Sequence, residues 1–264
     1  MPIPPHALNW MSRAEIDYIG PFVKAWAAFN AWYRHASGAA QERAMLDYVI
    51  GHANSALRRH VLPLLTNGNA TAEAERLKQA IGDLQQRLDA IHFEVTPKGR
   101  RERVSLREVC IRPKNLQREQ MERSGQRFVA AKIEGGRIQI TVTSVRTNQV
   151  RFQYEQLQYD PADVYSQPGF TNDLSAAQQV TLREFYDACN PRPMTDLVQG
   201  GGPVLNVSTM QFQCSAENLL AGLVETLYAM RNALLHGEVE ADQQMLACYE
   251  SAYRIVMCFL ERIR

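Results

Sequence analysis

The sequence has few of the features that mark secreted, membrane-spanning or disulfide-rich proteins. Its 264 residues include five cysteines, and none of them forms a C-x-x-C pair. An odd number of scattered cysteines favours reduced thiols over a disulfide framework or a zinc site. No apolar run reaches the roughly 18 residues that a membrane-spanning helix needs, and the first residues lack the layout of a signal peptide. We therefore expect a cytoplasmic protein with no membrane partner.

Excess charge of either sign is also lacking, because 29 Lys and Arg face 28 Asp and Glu for a net charge of +1. Bulk electrostatics therefore give no reason to expect a nucleic-acid partner. Residues 96–127 are a local exception, with ten Lys or Arg against four Glu. This stretch fits either an RNA-tracking surface or a solvated connector, and both interpretations stay open. The candidate RNA-binding residues are Arg100, Arg101, Arg103 and Arg107.

Apolar residues at steps of three and four predict helices at both ends of the chain. The predicted helices span about 12–37, 39–65, 71–92, 215–236 and 242–264. Ser12 with Glu15, Ser215 and Asp242 mark helix starts, and Gly237 falls where a helix C-terminal glycine would. Neither set of helices can bury its apolar faces alone. We expect them to pack together around Trp26, Phe29, Leu227 and Tyr253.

The middle of the chain has a different pattern. Alternating apolar residues from Phe128 to Tyr159 predict a hairpin or a three-stranded meander. Residues 160–172 are predicted irregular, 175–189 a short helix, and the run Gly200–Gly202 a loop. The sequence therefore predicts a mainly α protein. We expect residues 1–93 and 214–264 to form a helical bundle, and residues 94–213 to form a β-containing insertion.

One short motif combines residues that can perform chemistry. Arg231 and Asn232 are followed by His236 and Gly237, at the end of an apolar helical run. Asn232 and His236 lie about 40° apart on a helix surface, away from the apolar stripe. The same Arg-to-His spacing recurs at Arg87, but without Asn after the arginine or Gly after the histidine. By itself, His236 also fits a helix-end residue that is solvated or bonded to a carbonyl.

The segment from Tyr228 to Gly237 resembles the signature of the HEPN superfamily, and the aromatic helix from Trp26 to Arg34 resembles its first helix. The resemblance covers roughly residues 10–93 and 214–264. It implies an up-and-down helical bundle. Many members are dimeric, metal-independent endoribonucleases with one motif from each subunit in a shared cleft, whereas others have lost activity. We therefore expect a homodimer with no metal and no cofactor.

This resemblance implies RNA as the substrate and a toxin or phage-defence role, with an antitoxin or defence-system partner. Cleavage by the RNA's own 2′-hydroxyl needs a proton-transfer group and fixed positive charge on the phosphate. His236 would act as acid or base, Arg231 would bind the phosphate, and Asn232 would orient the histidine or the phosphate. The products would be a 2′,3′-cyclic phosphate and a 5′-hydroxyl. The alternative is a catalytically inactive module that binds RNA or a partner protein.

Overall fold

The computed structural model describes residues 17–96, 101–240 and 242–264. Over these residues the chain is mainly α, as the sequence predicts, with small antiparallel sheets. The described helices are α1 (Ile19–Ser37), α2 (Glu42–Gly51), α3 (Ala56–Leu65), α4 (Ala72–Ile91), α5 (Pro161–Ser166), α6 (Pro168–Asn172), α7 (Ala176–Ala188), α8 (Ala216–His236) and α9 (Gln243–Ile263). The described strands are β1 (Glu94–Val95), β2 (Glu102–Arg103), β3 (Arg118–Arg123), β4 (Gln126–Lys132), β5 (Ile138–Ser144), β6 (Val150–Gln156), β7 (Val204–Val207) and β8 (Met210–Gln213).

Two compact units divide the chain. The first, which we call the helical unit, takes its described residues from Met1–Ile111 and Met194–Arg264, and the second spans Arg112–Pro193. The second unit is therefore narrower than the predicted insertion at 94–213. Segments on either side of it belong to the helical unit, where they add apolar side chains such as Leu106, Leu197 and Phe212 to its core.

The helical unit has one continuous hydrophobic core. Helix α9 packs against α1, α3 and α4, while α8 packs against α2 and α3. Trp26, Phe29 and Leu227 are buried in this core, and Tyr253 is partly buried against it. Two short hairpins, β1–β2 and β7–β8, complete the unit. Both ends of the chain thus bury their apolar faces in a common interior, which neither could do alone.

Local capping signals place several helix ends where the sequence predicts them. The Ser215 side chain accepts a hydrogen bond from the backbone N–H of Asn218, and Asp242 accepts one from Met245. Gly237 ends α8 in the left-handed conformation, with φ of 69°. The predicted start at Ser12 and Glu15 lies outside the described residues. Helix α1 carries Pro21 in its first turn, where no intrahelical hydrogen bond is lost.

The prediction of one helix over 39–65 is wrong, because a turn separates the two helices α2 and α3 there. Ser55 is fully buried there, and its hydroxyl donates to the carbonyl of Val49 at 2.9 Å. The same oxygen accepts from the N–H of Arg58 and caps α3. The Ser55 hydroxyl thus bonds the end of α2 and caps the start of α3. Both hydrogen bonds stabilise the turn between the two helices.

The second unit contains a four-stranded antiparallel sheet in the order β3-β4-β5-β6. The prediction of a hairpin or a three-stranded meander therefore missed one strand of this sheet. The missing strand, β3, is an exposed edge strand in which Met121 alone is partly buried, so it shows no apolar alternation. The prediction of irregular structure over 160–172 is also wrong. Helices α5 and α6 form there, each with a proline in its first turn. The predicted helix at 175–189 is confirmed, and Ser175 caps it.

Buried tyrosines make the helical unit sensitive to alkaline pH. The phenol of Tyr249 is fully buried and donates to the carbonyl of Met230 at 2.9 Å. Burial raises the pKa of Tyr249 well above its ordinary value. The folded state therefore keeps a proton that the unfolded state loses above about pH 10. Stability present at neutral pH is lost as the pH rises, because the unfolded state then binds fewer protons.

We predict that the free energy of unfolding of the wild type falls as the pH rises above about 9.5, and that the free energy of unfolding of Tyr249→Phe falls less steeply over the same range. At neutral pH the variant is less stable than the wild type by about 1 kcal/mol, since the Met230 carbonyl loses its donor. Urea titrations followed by tryptophan fluorescence measure both quantities, because Trp26 and Trp32 lie in the helical unit. Equal losses of stability in the two proteins would contradict this assignment.

Candidate active site

Helix α8 carries all three residues of the Arg-Asn-x3-His motif. After a partly exposed first turn, the six consecutive residues from Leu219 to Val224 are all buried, so the helix is covered on every side there. In its last two turns one face is open, and Arg231 and Asn232 are half-buried while His236 is exposed. Gly237 then stops the helix, and its N–H donates back to the carbonyl of Leu234. The motif therefore lies where a buried helix reaches the surface.

A bidentate ion pair fixes α2 against this part of α8. Arg43 donates to both carboxylate oxygens of Glu225, at 3.0 and 2.6 Å. The Glu225 side chain is only 12% exposed, so the pair is shielded from solvent and is held more firmly than a surface contact. Glu42 precedes Arg43, and it is therefore placed beside the motif.

Glu42 accepts hydrogen bonds on both of its oxygens. The hydroxyl of Tyr33, from α1, donates to Oε1 at 2.9 Å. The hydroxyl of Tyr228, from α8, donates to Oε2 at 3.3 Å. Burial, and then the hydrogen bond with Glu42, raises the pKa of Tyr33 above its ordinary value. Tyr33 therefore stays protonated and remains a donor to the carboxylate.

Arg231 lies between Glu42 and Asn232. Its Nη1 donates to Oδ1 of Asn232 at 2.8 Å and lies 3.9 Å from Oε2 of Glu42. Its side chain is 23% exposed. The guanidinium is thus held by neighbours yet remains accessible to solvent, which suits a cation that must bind an anionic ligand. Asn232 contacts the arginine directly, whereas the predicted role was to orient the histidine or the phosphate.

Two buried polar atoms on α1 add to the polar character of this region. Nε1 of Trp26 and Oδ1 of Asn30 are buried without a hydrogen-bond partner among the described residues. The Trp26 ring lies 6.3 Å from that of Tyr228 and 6.4 Å from that of Tyr33, measured between centroids. Unsatisfied buried polar atoms are rare in proteins. The Trp26 ring places one of these two atoms near the tyrosines that bind Glu42.

His236 does not meet Arg231 within one chain. At about 100° and about 1.5 Å per residue, the two lie about 140° apart around α8 and about 7.5 Å apart along it. His236 is exposed, and no described residue forms a hydrogen bond with its imidazole. Asn232 lies between the two in angle, about 40° from the histidine. A single chain therefore presents a half-buried arginine and a solvent-exposed histidine as separate elements.

The second copy of the Arg-to-His spacing is structural. Arg87 joins α4 to α9: its Nη1 donates to the carbonyl of Ala247, to Oε2 of Glu250 at 3.2 Å and to Oγ of Ser251 at 2.9 Å. His92 follows the end of α4 in the left-handed conformation, with φ of 47°. All the recorded contacts of Arg87 are internal to the fold. Arg87 therefore serves the contact between α4 and α9, although its side chain is 33% exposed.

The candidate RNA-binding arginines are not equivalent. Arg103 contacts the Asp89 carboxylate at 3.3 Å and Arg107 contacts it at 3.1 Å, which offsets part of their positive charge. Arg101 is exposed, and Arg100 lies outside the described residues. The structure therefore brings two of the four together on one acidic partner, within the helical unit.

The glycine run at 200–202 serves local packing. A β-carbon at Gly200 would lie 2.2 Å from the carbonyl oxygen of Asp196, and one at Gly202 would lie 2.8 Å from that of Gln213. Close backbone approach explains both glycines. In the described part of the chain, no group of three or more His, Cys, Asp or Glu side chains could hold a metal ion.

Comparisons with known proteins give no family. No protein-family model, curated protein or solved structure matches the chain. The likeness to the HEPN superfamily therefore rests on the residues of the α1 and α8 segments alone. Across the residues that the structure describes, no helix is long and apolar enough to cross a membrane.

Sequence reasoning missed Glu42, Tyr33 and Tyr228 as members of the cluster. Tyr228 lies one helical turn before Arg231, so helix periodicity could have found it. Tyr33 follows Trp26 and Phe29 at steps of three and four, a spacing that predicts a core position. Glu42 was hidden inside the predicted helix at 39–65, and no local signal marks it as a residue that reaches α8.

Arg87→Ala is predicted to lower the free energy of unfolding by about 1–2 kcal/mol, because a half-buried cation with several acceptors is lost. Arg254→Ala is the matched control, since Arg254 pairs with the same Glu250 but is 55% exposed. Its loss should cost about 0.5 kcal/mol or less. Urea denaturation of both variants measures the two changes in the free energy of unfolding. Equal effects would show that Arg87 does not anchor α9.

Proposed function

We propose that this protein is a metal-independent endoribonuclease of the HEPN type, with Arg231, Asn232 and His236 as its site. The supporting observation is how the fold holds and exposes the side chains of Arg231 and His236. Arg231 is held through Nη1 by Asn232 and Glu42 but remains accessible, and His236 stands exposed at the end of the same helix. The other Arg-to-His pair, at 87 and 92, differs because Nη1 of Arg87 donates to three acceptors on α9 and so joins two helices.

The proposed reaction uses the RNA as its own nucleophile. The 2′-oxygen attacks the adjacent phosphorus and loses its proton, the bond from phosphorus to the 5′-oxygen breaks, and the leaving oxygen takes up a proton. His236 performs one of the two proton transfers. Arg231 stabilises the negative charge that builds on the phosphate. The products are a 2′,3′-cyclic phosphate and a 5′-hydroxyl.

A homodimer belongs to the same proposal. Since Arg231 and His236 lie about 140° apart on one helix, one copy cannot easily direct both at a single phosphate. In a two-fold contact the same patch meets itself, so Arg231 of one subunit can approach His236 of the other. The biological setting that we propose is a toxin or a phage-defence effector, controlled by an antitoxin or defence-system partner.

A catalytically inactive module that binds RNA or a partner protein is the second candidate. The observation that favours it is Glu42, whose carboxylate lies 3.9 Å from Nη1 of Arg231 and offsets part of its charge. A phosphate would have to bind in the presence of this carboxylate. Cleavage activity separates the two candidates directly.

We predict that the purified protein cleaves single-stranded RNA in excess chelator. Arg231→Ala and His236→Ala each reduce the rate by about a hundredfold or more, through lost charge stabilisation and lost proton transfer. Asn232→Ala has a milder effect, because it removes only an orienting contact. Rates from labelled RNA and end-group analysis of the products provide the measurement.

His92→Ala is the control for this experiment, because His92 occupies the structural copy of the spacing and should leave cleavage nearly unchanged. Loss of activity in His92→Ala together with retained activity in His236→Ala would refute the site. Absence of cleavage in the wild-type protein would favour the inactive module.

Sedimentation velocity at micromolar concentration is predicted to show a dimer. Mixing Arg231→Ala with His236→Ala should restore part of the activity, since a mixed dimer pairs the intact Arg231 of one subunit with the intact His236 of the other. Each variant alone serves as the control. A strictly monomeric protein with full activity would refute the shared site.

A further inference from the structure

Glu42 is fixed from two directions before it meets Arg231. Tyr33 on α1 and Tyr228 on α8 each donate a hydrogen bond to a different oxygen of its carboxylate. Tyr33 is fully buried, so its hydroxyl is set by the core and not by solvent. The next residue, Arg43, is held by Glu225. Glu42 is therefore an anchored carboxylate, although its side chain is 34% exposed.

The contact between Glu42 and Arg231 is close enough to orient the guanidinium but too long for a hydrogen bond. The distance from Nη1 to Oε2 is 3.9 Å, compared with 2.6 Å for the contact between Arg43 and Glu225. Hydrogen bonds from nitrogen to oxygen rarely exceed about 3.2 Å. Glu42 thus attracts the guanidinium without saturating its donors.

All recorded polar contacts of Arg231 involve Nη1. That atom donates to Asn232 and lies near Glu42, whereas Nε and Nη2 have no polar partner among the described residues. A guanidinium binds a phosphate or carboxylate best with two parallel N–H groups. With Nη1 engaged, the edge that remains for such a fork is formed by Nε and Nη2.

We infer that Glu42, held by Tyr33 and Tyr228, is a positioning residue that orients Arg231 so that its Nε–Nη2 edge binds the phosphate of the RNA. This inference rests on the proposed ribonuclease function and assigns a role to a residue outside the motif. Arginine has a long side chain with many rotamers, and fixing it in advance reduces the entropy lost in the transition state. The two phenols fix the carboxylate, and the carboxylate fixes the guanidinium.

Glu42→Gln tests the inference, because it keeps the side-chain shape while it removes the charge and places an amide near Arg231. The matched control is Asp47→Asn, which makes the same change on the same helix at a carboxylate that pairs with Arg43 and is 57% exposed. Glu42→Gln is expected to lower kcat about tenfold with less than about a twofold change in KM, as loss of transition-state orientation predicts. Asp47→Asn should cleave RNA at the wild-type rate.

Tyr33→Phe is the second variant, and it removes one donor to Glu42 with little change in volume. It should lower kcat about threefold, again with KM unchanged, since one of two anchors of the carboxylate remains. If Glu42→Gln fails to fold, Tyr33→Phe carries the test alone. Melting temperatures of all variants show which proteins are folded.

The outcomes separate this inference from the function on which it rests. Wild-type cleavage with unchanged kcat in Glu42→Gln, or in Tyr33→Phe where Glu42→Gln is unfolded, would overturn the positioning role alone. A rise in KM with unchanged kcat would also overturn it, because Glu42 would then affect ground-state binding only. No cleavage by the wild-type protein would overturn both the ribonuclease function and the inference.

Discussion

The arrangement of the helical unit depends on the burial of the first half of α8. Six consecutive buried residues, Leu219–Val224, require partners on every side of the helix. Helices α2 and α3 supply one side. The segments around Leu106 and Leu197 supply another, and they approach so closely at Gly222 that a β-carbon there would lie 2.3 Å from Cδ1 of Leu197. Because the buried half fixes the helix axis, the last two turns emerge at a defined place, and Arg231 with them.

The same requirement explains why the second unit is smaller than the sequence predicts. A boundary at 94–213 would remove Leu106 and Leu197 from the helical unit and leave α8 uncovered on that side. Composition cannot reveal this boundary, since the basic stretch at 96–127 has the composition of one continuous polar region. The structure divides that stretch at Arg112, after the last residues that cover α8. Burial in three dimensions, and not local charge, sets the boundary.

How far the sequence predicts the structure depends on the range of the interactions. Caps at Ser215, Asp242 and Gly237 act within one helical turn, and the predicted ends agree with the structure. The break at Ser55 depends on a contact with Val49 from the preceding helix, and helical periodicity alone does not predict it. For the candidate site, the sequence predicts the three motif residues because they share one helix. Glu42 was not found, because it reaches them only through tertiary packing.

The two copies of the Arg-to-His spacing show how tertiary context assigns different roles to similar local sequences. Arg87 lies across a helix contact, where acceptors on α9 engage its Nη1. Arg231 lies where α8 reaches the surface, and its Nη1 donates to a side chain of its own helix. Asparagine at 232 and leucine at 88 contribute to this difference, because only the first can accept a hydrogen bond from the arginine beside it.

Interhelical arginine–carboxylate contacts in the helical unit form a graded series, and that grading bears on function. The Arg43 contact with Glu225 is bidentate at 2.6 and 3.0 Å, and the Arg87 contact with Glu250 is 3.2 Å. Both hold helices together. The Arg231 contact with Glu42 is 3.9 Å long and contributes little to holding α2 and α8 together. Carboxylates engage all three side-chain nitrogens of Arg43. Arg231 is oriented but unsaturated, and this combination is more useful to a site that binds an anion than to the stability of the fold.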